Sequence, residues 1–148
     1  MEIRSATAAD IAGIALLVEQ YWKFESILGF DRPRTEGLLA ALLSEPARGG
    51  CWVVASGTGL QAYLLAVYLF SLEHGGLMAE IDEFFVAPQL RSTGVGSQLL
   101  TIAERDITAL GLKQIQLQLG VANQRGRRFY ERHGFRSRAG YDILDKRL

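Results

Sequence analysis

The sequence is poor in the residues that form disulfides, bind metals or cross membranes. Its 148 residues include one cysteine, two histidines and three prolines. A single cysteine excludes an intramolecular disulfide and is typical of a cytoplasmic protein, and no spacing of cysteine and histidine fits a metal site. The longest apolar run, residues 62–70, is too short to span a bilayer, and the charged, alternating first ten residues are unlike a signal peptide. We therefore expect a cytoplasmic protein that uses no metal and binds no membrane.

Neither sign of charge is in excess, because Lys plus Arg and Asp plus Glu number 16 each. The chain therefore has no net attraction for nucleic acid or an acidic membrane, and any basic function must be local. Hydrophobic residues make up 49% and charged residues 22% of the sequence, an ordinary globular balance. The length suggests one domain, residues 1–148, with a sizeable core.

Hydrophobic periodicity predicts an α/β protein with a mixed sheet, in the order β-α-α-β-β-β-α-β-α-β-β. Three central strands form an antiparallel meander. The strand after the third helix should lie parallel to the last meander strand, because a helix connects the two. Strands are predicted at residues 2–5, 51–55, 60–72, 77–86, 113–119, 135–138 and 141–146. Helices are predicted from a cap at Thr7 or Asp10 to residue 22, and at 35–44, 95–110 and 122–133.

The stretch from residue 80 to 100 carries the clearest chemical signal. The strand at Ile81–Val86 is followed by Pro88 and by the turn Arg91–Gly96, which opens a helix. The free N–H groups of a helix start, the helix dipole and the glycines favour an anion such as phosphate, to which Arg91 can add a bidentate contact. An ordinary turn and a dinucleotide-binding G-x-G-x-x-G turn are the alternatives. Leu99 at the third glycine position argues against the dinucleotide site.

Three carboxylates, Glu80, Asp82 and Glu83, lie just before and within the same strand. Strand alternation would place Glu80 and Asp82 on one face and Glu83 on the other, unless a β-bulge intervenes. A carboxylate at the mouth of an apolar cleft has a raised pKa and can accept a proton from an ammonium substrate, directly or through water. The alternative is a strand with a solvent-facing edge.

A second polar stretch, NQRGRRFYERHGF at residues 123–135, is predicted to be helical. Tyr130 is either a half-buried packing residue or a phenol that protonates a leaving group. Four arginines on this helix are either solvated or contribute one phosphate contact. Cys51, in a buried strand, is predicted to be a core residue rather than a nucleophile.

Both stretches resemble the GNAT superfamily of acetyl-CoA-dependent N-acetyltransferases. Arg91-Ser92-Thr93-Gly94-Val95-Gly96 matches the family's R/Q-x-x-G-x-G/A pyrophosphate loop, and Phe85-Val86-Ala87-Pro88 matches the hydrophobic-Val-x-Pro segment before it. Residues 123–135 match the N-x-x-A-x-x-h-Y-x-x-x-G-F helix, where h is apolar, with Gly126 in place of alanine. The predicted element order matches the family fold over essentially the whole chain.

The resemblance implies an acetyl-CoA site between the strands at 81–86 and 113–119, which splay apart in this family. Pantetheine would pair with backbone at Phe84, Phe85 and Val86. Asn123 would contact the pantetheine arm, and Tyr130 would stabilise or protonate the departing thiolate. Glu80 is the preferred general base and Glu83 the second. The pyrophosphate would bind the amides of Arg91, Ser92, Thr93, Gly94, Val95, Gly96 and Ser97, with Arg127 as a further phosphate contact.

The implied reaction is transfer of the acetyl group of acetyl-CoA to a primary amine of a small molecule, by direct attack in a ternary complex. Residues 80–100 and the ending YDILDKRL look most like aminoalkylphosphonate and aminoglycoside N-acetyltransferases. The alternatives are a peptide or protein amine as acceptor, or a non-catalytic acyl-CoA-binding regulatory module. Family habit also implies a homodimer. The expected wall of the acceptor pocket comprises Tyr21, Trp22, Phe24, Glu25, Phe30, Asp31 and Arg32.

Overall fold

The computed structural model describes all 148 residues, which form two compact units, Met1–Gln118 and Leu119–Leu148. The larger unit contains five strands and three α-helices, and the smaller unit contains one α-helix. No helix combines the length and the apolar character needed to cross a membrane. The elements are β1 (Glu2–Ser5), α1 (Ile11–Phe24), α2 (Arg32–Ser44), β2 (Gly49–Ser56), β3 (Gly59–Ser71), β4 (Gly76–Val86), α3 (Val95–Ala109), β5 (Ile115–Leu117) and α4 (Gln124–Arg132).

The five strands form one mixed sheet in the order β1-β2-β3-β4-β5. The first four strands pair antiparallel with one another. Strand β5 pairs parallel to β4, as predicted from the helix that connects them. The mixed α/β fold class predicted from the sequence is therefore confirmed.

One face of the sheet is covered by α1 and α2. The apolar stripe of α1, spaced three and four residues apart, packs on side chains that alternate along β2 and β3. Cys51 lies in this core, where burial raises the pKa of its thiol to about 12, so it is a packing residue as predicted. Buried members of the cluster are Ile14, Ala15, Leu17, Val18, Leu39, Cys51, Val53, Tyr63 and Phe85.

The third helix packs against the sheet strands. Its buried residues, which include Leu99, Leu100 and Ala103, have the helical spacing predicted for an amphipathic helix. The indole Nε1 of Trp52 on β2 donates to Asp106 Oδ2 on α3 across 2.9 Å. Trp52 pairs with Leu64 in the ladder. Because successive side chains of a strand point to opposite faces, Trp52 faces away from Cys51 and Val53, which lie in the α1 core.

Helix α2 begins three residues earlier than predicted, at Arg32 rather than Thr35. Proline breaks a helix interior, but Pro33 lies in the first turn of α2, where the missing N–H is unneeded and the fixed φ suits a helix. Asp31 is the N-cap, and its Oδ1 accepts from the Arg34 amide at 2.8 Å.

The two predicted closing strands, at 135–138 and 141–146, are wrong, because no strand follows β5. Every side chain from residue 136 to 148 is exposed, so these residues lack the alternating burial that stabilises a strand. Local polar contacts occur there instead. Arg127 Nη1 donates to Ser137 Oγ at 2.6 Å, and the guanidinium of Arg138 lies 4.5 Å from the ring centroid of Tyr141.

Candidate active site

A β-bulge in β4 brings two of the candidate carboxylates to the same face of the sheet. Leu65 on β3 pairs with Glu83, whereas the next residue, Ala66, pairs with Ile81, so Asp82 is an extra residue in β4. Glu80 pairs with Val67, which shares a face with Leu65 because the two lie two positions apart along β3. Glu80 and Glu83 therefore lie on the face covered by α1, an arrangement that regular alternation would have prevented.

Glu83 is held by two side-chain donors from other elements. Its Oε1 accepts from Trp22 Nε1 on α1 at 2.7 Å, and its Oε2 accepts from the Tyr63 hydroxyl on β3 at 2.6 Å. Burial raises the pKa of Glu83, and the hydrogen bonds from Tyr63 and Trp22 oppose that rise. The carboxylate is thus fixed in orientation while its charged form is partly desolvated.

Glu80 is held by amide donors from the chain around β5. Its Oε2 accepts from Gln116 Nε2 at 2.6 Å, and its Oε1 accepts a longer bond of 3.5 Å from Gln118 Nε2. Both glutamines alternate with apolar residues in the sequence KQIQLQL at 113–119, so they lie on one face of this segment. The glutamine side chains therefore lie on the same face of the sheet as Glu80.

Aromatic side chains lie around Glu83, which contacts Trp22 and Tyr63. The ring centroids of Tyr21 and Phe85 are 6.0 Å apart, and those of Tyr63 and Phe85 are 6.5 Å apart. Burial raises the pKa of Tyr21 to about 12, so its hydroxyl is neutral at physiological pH. The Trp22 ring meets the edge of Phe30 at 6.0 Å. A carboxylate among aromatic faces suits a cationic amine.

The other predicted wall residues are used differently. Asp31 caps α2, and Arg32 forms an ion pair with Glu36 on the same helix at 2.9 Å. Glu25 follows α1 and is exposed. Of the predicted wall, the structure therefore places Trp22 in direct contact with an acidic residue of β4.

The predicted pyrophosphate loop has the backbone of an anion site. Gly94 is the N-cap of α3 with φ of +88°, a conformation that L side chains rarely adopt, and a side chain there would be strained. No side chain caps the helix, so its first N–H groups are left to solvent or to a ligand. Ser92 also has a positive φ, of 64°, and Thr93 Oγ1 donates to the Leu90 carbonyl at 2.6 Å. The loop therefore has free backbone N–H groups of the kind that bind anions.

Arg91 is turned towards the protein rather than extended into solvent. Its Nε donates to the Val86 carbonyl at 3.0 Å. Its guanidinium lies 4.6 Å from the ring centroid of Phe24 and 5.4 Å from that of Phe85. Arg91 thus connects the loop to the end of β4 and to the last residue of α1.

Strand β4 continues beyond its ladder with β5. The two strands pair only over Ala79–Ile81, whereas β4 runs on to Val86. The expected pantetheine contacts, Phe84, Phe85 and Val86, lie in this continuation. Phe85 points into the α1 core.

The remaining predicted residues belong to the smaller unit. Asn123 is the N-cap of α4, and its Oδ1 accepts from the Gly126 amide at 2.8 Å. Tyr130 lies on α4, and its ring meets Phe129 at 5.2 Å and Phe135 at 5.4 Å. No group of three or more His, Cys, Asp or Glu side chains is placed to hold a metal ion.

Sequence reasoning did not find the donors that hold the acidic pair. Tyr63 lies 20 residues before Glu83 in the chain, and Trp22 lies 61 residues before it. A buried phenol or indole usually has a polar partner, but its identity depends on strand register and helix placement. The alternation of Gln116 and Gln118 with apolar residues indicates a polar face of the strand but does not reveal Glu80 as their partner.

The strand order of the sheet and the glycine loop that opens α3 after β4 agree with the acyltransferase family that the two sequence motifs resemble. The chain belongs to the acetyltransferase (GNAT) family, whose model matches residues 14–135. It is an acetyl-CoA-dependent N-acetyltransferase, and the resemblance stated from its two motifs is confirmed.

Relatives within this family share most of the chain. An aminoalkylphosphonate N-acetyltransferase of Salmonella typhimurium is 29% identical over 91% of this chain and 84% of its own. A phosphinothricin N-acetyltransferase of Streptomyces viridochromogenes is 25% identical over 95% of this chain and 80% of its own. The crystal structure of a predicted acetyltransferase from Clostridium acetobutylicum, solved with acetyl-CoA, shares the fold with a TM-score of 0.82. It is 17% identical and covers 97% of this chain and 95% of its own.

Proposed function

We propose that this enzyme transfers the acetyl group of acetyl-CoA to a primary amine of a small molecule, by direct attack within a ternary complex. The observation that carries the proposal is the bulge in β4, which places Glu80 and Glu83 on one face beside aromatic side chains. Such a surface binds an ammonium group and can remove its proton. The neutral amine that results is the nucleophile for a thioester.

Each carboxylate has a role in this scheme. Glu80 is the preferred proton acceptor, directly or through water, and Glu83 is the second candidate. Both carboxylates have fixed orientations, because each accepts hydrogen bonds from neighbouring side chains. A preorganised carboxylate contributes orientation as well as deprotonation.

The residues assigned to acetyl-CoA lie in the loop, in β4 and on α4. The amides from Arg91 to Ser97 would bind the pyrophosphate, as the uncapped start of α3 supports. The backbone of 84–86 would pair with pantetheine. Asn123 and Arg127 would contact the cofactor, and Tyr130 would donate a proton to the departing thiolate. Within this proposal the whole chain, residues 1–148, acts as one catalytic domain in the cytoplasm.

Two relatives support a small acceptor. By their names, one acetylates aminoalkylphosphonates and the other phosphinothricin, and both match at least 91% of this chain. Both substrate names denote small amines that carry an acidic phosphorus group. A small amine is therefore the acceptor class that we propose.

The test is release of free thiol from acetyl-CoA in the presence of an amine panel. The panel holds aminoalkylphosphonates, phosphinothricin, aminoglycosides, polyamines, amino acids and short peptides. Thiol release that depends on one small-amine class, with the acetylated product seen by mass spectrometry, supports the proposal. Release with peptides alone would reassign the acceptor, and binding of acetyl-CoA without release across the panel would contradict the proposal.

The acidic pair gives a matched prediction. Glu80→Gln should lower kcat by about 10²-fold or more, because general bases contribute at about this level. Glu83→Gln should lower it less if Glu83 only orients the amine. Glu45→Gln, at an exposed position that pairs with Arg48, serves as the control and should leave kcat unchanged. Unchanged turnover in Glu80→Gln would remove Glu80 from the role of base and leave Glu83.

A further inference from the structure

The two donors of Glu83 come from different elements, Trp22 from α1 and Tyr63 from β3. Trp22 Nε1 reaches Oε1 at 2.7 Å, and the Tyr63 hydroxyl reaches Oε2 at 2.6 Å. An ionised carboxylate accepts at both oxygens, and each oxygen keeps one further lone pair. Glu83 is therefore held by two bonds and still able to accept a third, from an amine or a water.

Both donors are packed against other side chains. The Tyr63 side chain has no exposed surface, and it is packed in the core beneath α1. The Trp22 ring is packed against Phe30, which lies between α1 and α2. Hydrogen bonds from fixed donors to a charged group are the stronger kind, so these two contacts fix the position of Glu83 as well as its charge.

Few other groups near Glu83 change charge at physiological pH. From β3 and β2, Tyr63 and Cys51 face it, and burial raises the pKa of both groups. From α1, Tyr21 faces it with a pKa raised to about 12. On β4 itself, Asp82 is the near carboxylate, and burial followed by the charge of Glu80 raises its pKa. The ionisation of Glu83 is therefore governed by burial, by its two donors and by Asp82.

We propose that Trp22 and Tyr63 are positioning residues for acetyl transfer, which hold Glu83 ionised and aimed at the acceptor ammonium. The proposal deepens the proposed function, on which it rests for the role of Glu83 beside the acceptor. Removal of either donor leaves the folded core in place but frees the carboxylate to rotate and to take up a proton. The expected result is a weaker catalyst with a shifted pH profile.

The chain provides its own control for a lost indole hydrogen bond. It contains two tryptophans, and each donates its indole N–H to a carboxylate. Trp52 Nε1 donates to Asp106 Oδ2 at 2.9 Å, between β2 and α3. Trp52→Phe therefore removes the same kind of bond as Trp22→Phe, but at a place with no part in the acidic pair.

Nuclear magnetic resonance tests the arrangement without any turnover. In a ¹H–¹⁵N spectrum the two indole N–H signals are assigned with Trp52→Phe, which retains only the signal of Trp22. The Trp22 signal should shift as Glu83 titrates above its ordinary range, and Glu83→Gln should abolish that shift. The absence of such a titration, or its persistence in Glu83→Gln, would overturn the proposal.

Kinetics test the consequence for the reaction. Trp22→Phe and Tyr63→Phe should each move the acid limb of the kcat/KM profile upwards by about one pH unit, because a lost bond to the charged form raises a pKa. Each should lower kcat by about tenfold, with less effect on the KM for acetyl-CoA. Trp52→Phe should leave the acid limb and kcat at wild-type values.

The outcomes separate this proposal from the proposed function. If the wild-type enzyme acetylates no amine in the panel, the proposed function fails, and the indole titration alone decides whether Trp22 sets the charge of Glu83. If the wild type is active and Trp22→Phe and Tyr63→Phe keep the wild-type acid limb, the positioning role is overturned. Should Trp22→Phe fail to fold, Tyr63→Phe carries the same test from the sheet side.

Discussion

At the scale of single residues, Arg91 links two regions with different proposed roles. Its guanidinium is stacked near Phe24, at the end of α1, while its Nε donates to the Val86 carbonyl. The contact with Phe24 joins the proposed acceptor wall to the proposed pyrophosphate loop. Loss of the ring should let Arg91 leave its bond to Val86, and the loop should then be less ordered.

Phe24→Leu should therefore weaken acetyl-CoA binding by about two- to fivefold, because a cation–π contact at an exposed site is worth about 0.5–1 kcal/mol. Isothermal titration calorimetry gives the Kd directly. Phe70→Leu is the control, since Phe70 is exposed to 73% and Phe24 to 63%, and Phe70 lies on β3 near its turn to β4. Unchanged or tighter binding in Phe24→Leu would show that the stacked arginine does not order the loop.

At the scale of elements, α4 explains why a glycine replaces the alanine of the family motif. A Cβ at position 126 would lie 2.8 Å from Asn123 Nδ2 and 3.0 Å from its Oδ1. The Asn123 side chain occupies that space because it caps the helix. Glycine at 126 therefore lowers helix propensity but allows the cap.

A double-mutant cycle tests whether the Asn123 cap opposes a side chain at position 126. Gly126→Ala should change the free energy of unfolding little, because its gain of about 1 kcal/mol in helix propensity is offset by strain on the cap. In the Asn123→Ala background the same change should stabilise by about 1 kcal/mol, as measured by urea unfolding. Gly37→Ala on α2, where nothing lies within 4 Å of a new Cβ, should show the ordinary gain. Equal effects of Gly126→Ala in both backgrounds would contradict the conflict with Asn123.

Local sequence patterns predicted most elements because those elements depend on local periodicity. The stripe of α1, the meander and the helix after Gly94 are all present. Helix α2 begins before the predicted residue 35 because Pro33 fits the first turn of a helix, which hydrophobic periodicity does not indicate. The closing strands failed because alternation around Tyr141 has no buried face to stabilise it. The loop at 91–97 was recognisable from its glycines, whereas the partners of Glu83 were not, since they depend on contacts across the fold.

At the scale of the whole molecule, two carboxylates, those of Asp10 and Glu83, have pKa values shifted in opposite directions and so give stability opposite dependences on pH. Hydrogen bonds from Arg4 lower the pKa of Asp10 to about 2, so its ionised form stabilises the fold above its ordinary value near 3.8. That contribution is lost as the pH falls towards 2. Burial raises the pKa of Glu83, so its ionisation disfavours folding as the pH rises.

Asp10→Asn should lower the free energy of unfolding at pH 7, because Arg4 and Thr7 lose a charged acceptor. The difference from the wild type should shrink as the pH falls from about 4 to about 2, where Asp10 becomes protonated in the wild type. Urea unfolding at several pH values measures it. Asp145→Asn, at an exposed position, should have no such effect. If the difference in the free energy of unfolding between Asp10→Asn and the wild type does not depend on pH, the ion pair is excluded as its cause.

The extra residue in β4 makes the acidic pair depend on the length of the strand as well as on its side chains. A codon change at Asp82 would leave Glu80 and Glu83 on their shared face, because the backbone still has the additional residue. A single-codon deletion there would restore a regular strand, keep the face and shorten the step between the two carboxylates from three residues to two. A deletion in this gene can therefore change the distance between the two carboxylates although both Glu80 and Glu83 are retained.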